Sequence, residues 1–247
     1  MSMIKVATAR IKNIYDCSDS QAVSNFKTRF AGTLDRYAKD VDAAKTVVAI
    51  QPHFLYACTS AMHGDFPAND NGDFFLWTEL LKLKQEGMRT YETWIGKNLL
   101  ENHNPKEVRG SIIDVFPIQS EKSLDMLFRV DERINPNLAS GLRNGSILDV
   151  SMGVQVNHSY CSICNNLAYD ESQWCDELNP KKLNLKGRRY NGSRYPDKVG
   201  EIVYEDNRGL EGVELSIISF GAGADPKAKI REILAAKNAI KLSNYQK

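Results

Sequence analysis

The chain has 247 residues, and its 32 Lys and Arg residues almost balance its 31 Asp and Glu residues, giving a formal net charge of +1. Hydrophobic residues make up 42% of the sequence, which excludes an intrinsically disordered chain. The sequence contains no apolar run of about 18 residues, so no membrane span is predicted. The near-zero net charge excludes a polycation that binds duplex nucleic acid in bulk. The N-terminus carries no apolar signal-peptide segment, so secretion is not predicted.

The first part of the chain predicts helices around one extended segment. Over residues 18–45, apolar side chains recur at three- or four-residue steps, which predicts an amphipathic helix. Residues 46–59 are rich in Val, Ile and aromatic residues and predict extended structure. The Asn, Asp and Gly residues of 69–73 predict a loop, and the apolar residues of 75–83 predict a short helix.

The pattern changes to alternation in the second part of the chain. Apolar and polar residues alternate in four predicted strands, at 111–117, 124–130, 146–156 and 212–220. Asn135-Pro136-Asn137 and Arg143-Asn144-Gly145 predict turns between them, and residues 226–242 predict a final amphipathic helix. The fold class predicted is α+β, with a mixed, mostly antiparallel sheet and flanking helices.

Three polar residues stand out as candidates for chemistry. His103 lies in a polar loop before the first strong strand, and a free imidazole titrates near pH 6.5, as a general base requires. Ser151 follows an alternating segment and precedes Gly153, which allows close backbone approach, although the nucleophile-elbow pattern Gly-x-Ser-x-Gly is missing. Glu214 interrupts an apolar strand, where a carboxylate needs a partner. Alternation puts Ser216 on the same face as Glu214.

Motifs around these residues resemble those of the tailed-phage prohead proteases, the capsid maturation enzymes with a fold like that of the herpesvirus assemblins. The similar segments cover roughly residues 55–230. They are Asn71-Gly72-Asp73 with Phe75, Asn102-His103, Gly110-Ser111-Ile112-Ile113-Asp114, residues 138–153 ending in Val-Ser-Met-Gly, residues 213–219, and Ala224-Asp225-Pro226-x-Ala228. Gly221-Ala222-Gly223 departs from the Pro-Ala pair that is common in the last motif.

The resemblance implies a mostly antiparallel β-barrel of the herpesvirus-protease type with flanking helices and a small Cys-rich insertion. It implies a serine endopeptidase with Ser151 as nucleophile and His103 as base. Glu214 is the preferred third member, and Ser216, Asp114 and Asp149 are alternatives. The implied substrates are capsid and scaffold proteins, cleaved with self-processing by a homo-oligomer inside the viral procapsid in the host cytoplasm. No cofactor for catalysis and no membrane or nucleic-acid partner are implied.

The predicted organisation has three parts. Residues 1–45 form an N-terminal helical segment, residues 46–230 form the protease domain, and residues 231–247 form a basic C-terminal helix or tail. Within the protease domain, residues 157–198 form a Cys-rich, basic insertion.

A cysteine cluster in the insertion predicts a structural zinc site. Cys161 and Cys164 form a Cys-x-x-Cys pair, and Cys175 follows eleven positions later. Three thiolates suit tetrahedral zinc in a structural site. Related prohead proteases often carry a histidine two positions beyond the third cysteine, but this chain has Glu177 there. His158 is therefore the predicted fourth ligand.

Two basic segments keep other functions open. Residues 180–198 carry seven Lys and Arg residues against Asp197, and residues 227–247 are also basic. A zinc knuckle beside a basic, aromatic loop is also typical of a nucleic-acid-binding module. A third alternative is a virion or scaffold component that keeps the protease fold without activity.

Overall fold

The computed structural model describes residues 3–16, 53–65, 67–69, 71–85 and 87–219. Its strands are β1 (Met3–Asp16), β2 (Phe54–His63), β3 (Asp73–Phe75), β4 (Asn98–Glu101), β5 (Asn104–Ile118), β6 (Ser123–Asp131), β7 (Asp149–Val156), β8 (His158–Cys161), β9 (Leu167–Ala168), β10 (Glu205–Arg208) and β11 (Glu211–Ile218). Its helices are α1 (Trp77–Leu80), α2 (Pro136–Asn144) and the 3-10 turns Thr90–Trp94, Glu171–Gln173 and Pro196–Lys198. The predicted helices at 18–45 and 226–242 lie outside the described residues.

Seven strands close into a barrel in the order β1-β2-β6-β5-β4-β11-β7. Neighbouring strands are antiparallel except β4 and β11, which are parallel. The mostly antiparallel sheet predicted from alternation is therefore confirmed for the described part of the chain, which is mostly β with few helices. Because side chains alternate along a strand, one face of β7 and β11 supplies Val150, Met152, Leu215 and Ile217 to the apolar core, and the other face carries polar residues outward.

The barrel begins earlier in the sequence than the predicted domain boundary at residue 46. Strand β1 pairs with β2 along one side and with β7 along the other, where Thr8 lies opposite Ser151. Residues 3–16 are therefore part of the barrel wall and not of a separate helical segment. No helix within the described ranges is both long and apolar enough to cross a bilayer.

Helix α2 replaces the turn predicted at 135–137. The Asn135 side chain accepts a hydrogen bond from the Leu138 backbone N–H at 3.1 Å, and Pro136 occupies the first turn. Asn at the N-cap followed by Pro is a helix start, because Pro lacks an N–H that would have no partner there. The helix ends at Gly145, whose φ of 76° is left-handed.

The segment between β7 and β11 supplies β8, β9 and β10, which form a second, four-stranded sheet with β3 in the order β3-β10-β8-β9. Lys186, from the predicted basic loop, is half-buried against this sheet, with Nζ 2.7 Å from both Asp73 and Glu205. Burial lowers the pKa of Lys186, but the two carboxylates outweigh burial and hold it above its usual value. This lysine therefore ties the insertion to the segment before α1 and is not part of an exposed basic surface.

Candidate active site

His103 lies at the tip of the hairpin that joins β4 to β5. Glu101 pairs with Asn104, so the turn has only two central residues, Asn102 and His103. Both have positive φ, 52° and 58°, as a type I′ turn requires. A histidine in this left-handed region costs about 1 kcal/mol or more, and such strained residues cluster at functional sites.

Two hydrogen bonds hold His103 against β11, one through its backbone and one through its ring. Its backbone N–H donates to Ser216 Oγ at 3.0 Å, and its Nδ1 lies 2.9 Å from Glu214 Oε1. Ser216 Oγ donates in turn to Glu214 Oε2 at 2.7 Å. His103, Ser216 and Glu214 therefore form a closed hydrogen-bonded ring. Sequence alternation placed Ser216 beside Glu214 but could not show that it links the histidine backbone to the carboxylate.

The contact with Glu214 fixes which ring nitrogen of His103 carries the proton. An ionised carboxylate only accepts hydrogen bonds, so Nδ1 must donate to it. Nε2 then keeps its lone pair, as a general base needs. The imidazole side chain is 33% exposed, so a second group can reach it.

Ser151 lies beside this ring, on the neighbouring strand. In the antiparallel pairing of β7 with β11, Ser151 is opposite Ser216 and Gly153 is opposite Glu214, so the polar residues of both strands share one face. Ser151 is 1% exposed, and its Oγ makes no hydrogen bond within the described part of the chain. A buried hydroxyl without a partner calls for an explanation, and a catalytic role is one.

The remaining candidates for a third catalytic residue are Asp114 on β5 and Asp149 on β7. Asp114 is buried on β5, where its Oδ1 accepts a hydrogen bond from the Val115 N–H at 2.8 Å, and Asp149 begins β7. The carboxylate that the structure brings to the His103 ring is that of Glu214.

A second hydrogen-bond network supports the turn from behind. The Asn102 side chain accepts from the Ser219 N–H at 3.0 Å and donates to Ser219 Oγ at 2.8 Å. Ser219 Oγ donates to Glu101 at 2.6 Å, as does Arg109 Nε. Burial raises the pKa of Glu101, but hydrogen bonds from Ser219, Arg109 and Asn135 outweigh it, so the pKa is lowered. The sequence does not indicate this network, because Ser219 lies 117 residues from Asn102 along the chain.

The cysteine cluster lies in the insertion. Cys161, Cys164, Cys175 and Glu177 form one group, whose ligand atoms all lie within 4.8 Å of one another. His158 is not in this group. It begins β8, with its ring against Tyr160 and Tyr169, and an odd separation of three residues along a strand puts His158 and Cys161 on opposite faces. The structure therefore gathers Glu177 with the three thiols in place of His158.

The similarity of this chain to known proteins lies in its structure. No family model matches the chain, and no curated protein matches it. Among solved structures, it is similar to the capsid assembly protease gp21 of bacteriophage T4. The TM-score is 0.46 and the sequence identity is 11%, over 88% of this chain and 98% of that one.

Proposed function

We propose that the chain is a serine endopeptidase in which Ser151 is the nucleophile, His103 the general base and Glu214 the residue that orients the base. One observation carries the proposal: the residue that orients His103, Glu214, lies on the strand paired with that of Ser151, whose buried hydroxyl has no hydrogen bond in the described structure. Catalytic triads are recognised by such roles and geometry and not by chain order.

In the proposed reaction, Ser151 Oγ attacks the carbonyl carbon of a peptide bond while His103 Nε2 takes the hydroxyl proton. The peptide C–N bond then breaks, the protonated imidazole gives its proton to the leaving amine, and an acyl-enzyme remains. Water hydrolyses the acyl-enzyme by the same proton route. Glu214 keeps the proton on Nδ1 and stabilises the imidazolium, a role whose loss costs roughly 10⁴-fold in kcat in well-studied triads.

We propose capsid and scaffold proteins of an assembling viral procapsid as the substrates, with the enzyme acting inside the procapsid. This part of the proposal is supported by the motifs that flank His103, Ser151 and Glu214, which resemble those of the prohead proteases. Self-processing and assembly as a homo-oligomer belong to the same proposal.

The test compares Ser151→Ala with Ser123→Ala. Ser123 is a matched control, because its hydroxyl is also buried and without a hydrogen bond in the described structure, but it lies on β6 away from the His–Glu pair. Each variant is co-expressed with capsid and scaffold proteins, and intact masses report cleavage. Cleavage should stop in Ser151→Ala and continue in Ser123→Ala. Cleavage that continues in Ser151→Ala would refute the nucleophile assignment.

The burial of Ser151 favours a second candidate, a virion component with this fold and no activity. At 1% exposure, the hydroxyl is reached by a substrate only if the covering atoms move. Reaction with a serine-directed phosphonate separates the two candidates. Labelling at Ser151 in assembled particles supports the enzyme, and its failure there supports the inactive component.

A further inference from the structure

We propose that Cys161, Cys164, Cys175 and Glu177 bind one zinc ion, with the Glu177 carboxylate as the fourth ligand. The site lies in the insertion and is separate from the proposed protease reaction. The inference depends on four observations: the mutual placement of the ligand atoms, an unsatisfied carboxylate, the backbone amides around the sulfurs, and the small core around the cluster.

The four side chains already have nearly the spacing that zinc needs. With Zn–S bonds of about 2.3 Å, a tetrahedral site has ligand atoms about 3.8 Å apart. The ligand atoms here all lie within 4.8 Å of one another, so closing around an ion requires shifts of about 1 Å or less. The described cysteines of the cluster form no disulfide, so all three sulfurs are available.

The Glu177 carboxylate provides the observation that points to a cation. Glu177 is 2% exposed, and its Oε2 has no hydrogen-bond partner within the described residues. The Cys175 thiol donates a hydrogen bond to the Glu177 carboxylate, which leaves Oε2 as the oxygen without a hydrogen bond. Burying a carboxylate oxygen in this state is costly. A cation coordinated by this oxygen and the three sulfurs removes that cost.

Backbone amides surround the sulfurs and hold them in place. The N–H groups of Ile163 and Cys164 donate toward Cys161 Sγ, the former at 3.4 Å. The Asn166 N–H donates toward Cys164, and the Leu178 N–H donates toward Cys175. Donors directed at a ligand fix its orientation, as outer-shell partners of metal ligands do.

The core around the cluster is too small to hold the insertion by itself. Five buried residues form it: Cys161, Ile163, Leu178, Tyr190 and Val203. Small folding units with so little apolar burial are commonly completed by a metal or disulfides. Zinc would join the turn after β8 to residues 175–177, two segments that otherwise meet through this small core. Soft thiolate ligands select zinc over magnesium or calcium, and four protein ligands leave no open position for catalysis.

The experiment measures metal in the full-length chain, purified under reducing conditions. The expected result is one zinc per chain by elemental analysis. Replacement by Co²⁺ should give the visible bands of a tetrahedral ion and a sulfur-to-cobalt charge-transfer band. Removing zinc with a chelator should lower the unfolding temperature, and adding zinc back should restore it. No bound metal, together with no response to added zinc or cobalt, would overturn the proposal.

Matched variants test the individual ligands. Cys161→Ala should lose the metal, whereas Cys58→Ala, at a buried cysteine of barrel strand β2, should keep it. Glu177→Gln should weaken zinc binding about tenfold or more and shift the cobalt spectrum, because a carboxylate leaves the coordination sphere. His158→Gln and Glu171→Gln should leave the zinc affinity and the cobalt spectrum unchanged. If Cys161→Ala does not fold, competition for zinc between the wild-type chain and a chelator of known affinity still measures zinc binding. Equal affinity and spectrum for Glu177→Gln and wild type, or weakening by His158→Gln alone, would refute the Glu177 assignment.

Discussion

Gly153 leaves the space that the Glu214 carboxylate occupies, and filling that space should disable the proposed site. An alanine Cβ at position 153 would lie 2.7 Å from Glu214 Oε1 and 3.1 Å from its Cγ. Ordinary contact begins near 3.4 Å, so Oε1 must retreat by about 0.7 Å. The same oxygen accepts the His103 Nδ1 hydrogen bond at 2.9 Å. A retreat along that bond stretches it to about 3.6 Å, where it no longer counts as a hydrogen bond.

We therefore expect Gly153→Ala to lower activity far more than stability. A misplacement of this size costs on the order of 10²-fold in rate. The clash is with the end of a flexible side chain, so the stability cost should lie near about 1 kcal/mol, the low end for overpacking. The rate of Ser151 labelling by a serine-directed phosphonate, followed by intact mass, measures the first effect without a known peptide substrate. Urea unfolding measures the second.

The control is a double-mutant cycle with Glu214→Gln. Both changes disturb the same carboxylate, so their effects should not add, and Gly153→Ala should cost little once Glu214 is replaced. If Gly153→Ala is labelled at the wild-type rate, or if the two effects add fully in the double variant, the role assigned to Glu214 is refuted.

Three further predictions concern the supporting network and the insertion. Lys186→Met leaves two buried carboxylates without their cation and should destabilise the protein by about 3–5 kcal/mol, whereas Lys182→Met at an exposed ion pair should cost about 1 kcal/mol or less. Equal urea midpoints for Lys186→Met and Lys182→Met would contradict this prediction. The lowered pKa of Glu101 means that its ionised form stabilises the fold above its ordinary value of 4.5 and that this contribution fades as the pH falls below it. Glu101→Gln should therefore reduce the loss of unfolding free energy at acidic pH, measured by urea unfolding across pH. An unchanged pH dependence would contradict the role given to Glu101. Ser216→Ala removes the link between the His103 backbone and Glu214, so phosphonate labelling should slow by about tenfold; an unaltered rate would show that the link is dispensable.

The fold could be predicted from sequence where the alternation is strong. The predicted strands at 111–117, 124–130, 146–156 and 212–220 correspond to β5, β6, β7 and β11. Helix α2 was missed because Asn135-Pro136 begins a turn as readily as a helix. Strand β1 was missed because closure of a barrel is a pairing between distant segments, which no local pattern reports.

The site was predictable in its residue types and not in its contacts. His103, Ser151 and Glu214 could be selected by motif, but the bond from His103 to Glu214 depends on the register of β11 against β7, which shifts between Gly212 and Glu214. A shift of one residue turns every side chain to the opposite face of a strand. The same alternation explains why His158 lies outside the cysteine cluster. Glu177 lies two residues after Cys175, whereas His158 lies three residues before Cys161 on strand β8 and therefore faces the opposite side of the strand.

Strand β1 determines how this protein tolerates truncation at its N-terminus. Strand β1 covers the outer backbone edge of β7 along its full length, from Val156 to Asp149. Loss of residues 3–16 would leave the strand that bears Ser151 with a row of unpaired N–H and C=O groups, and an exposed edge of this kind recruits strands from other molecules. N-terminal trimming would then convert the paired Ser151 strand into an exposed edge strand that can pair with other molecules, although every residue of the proposed triad would still be present.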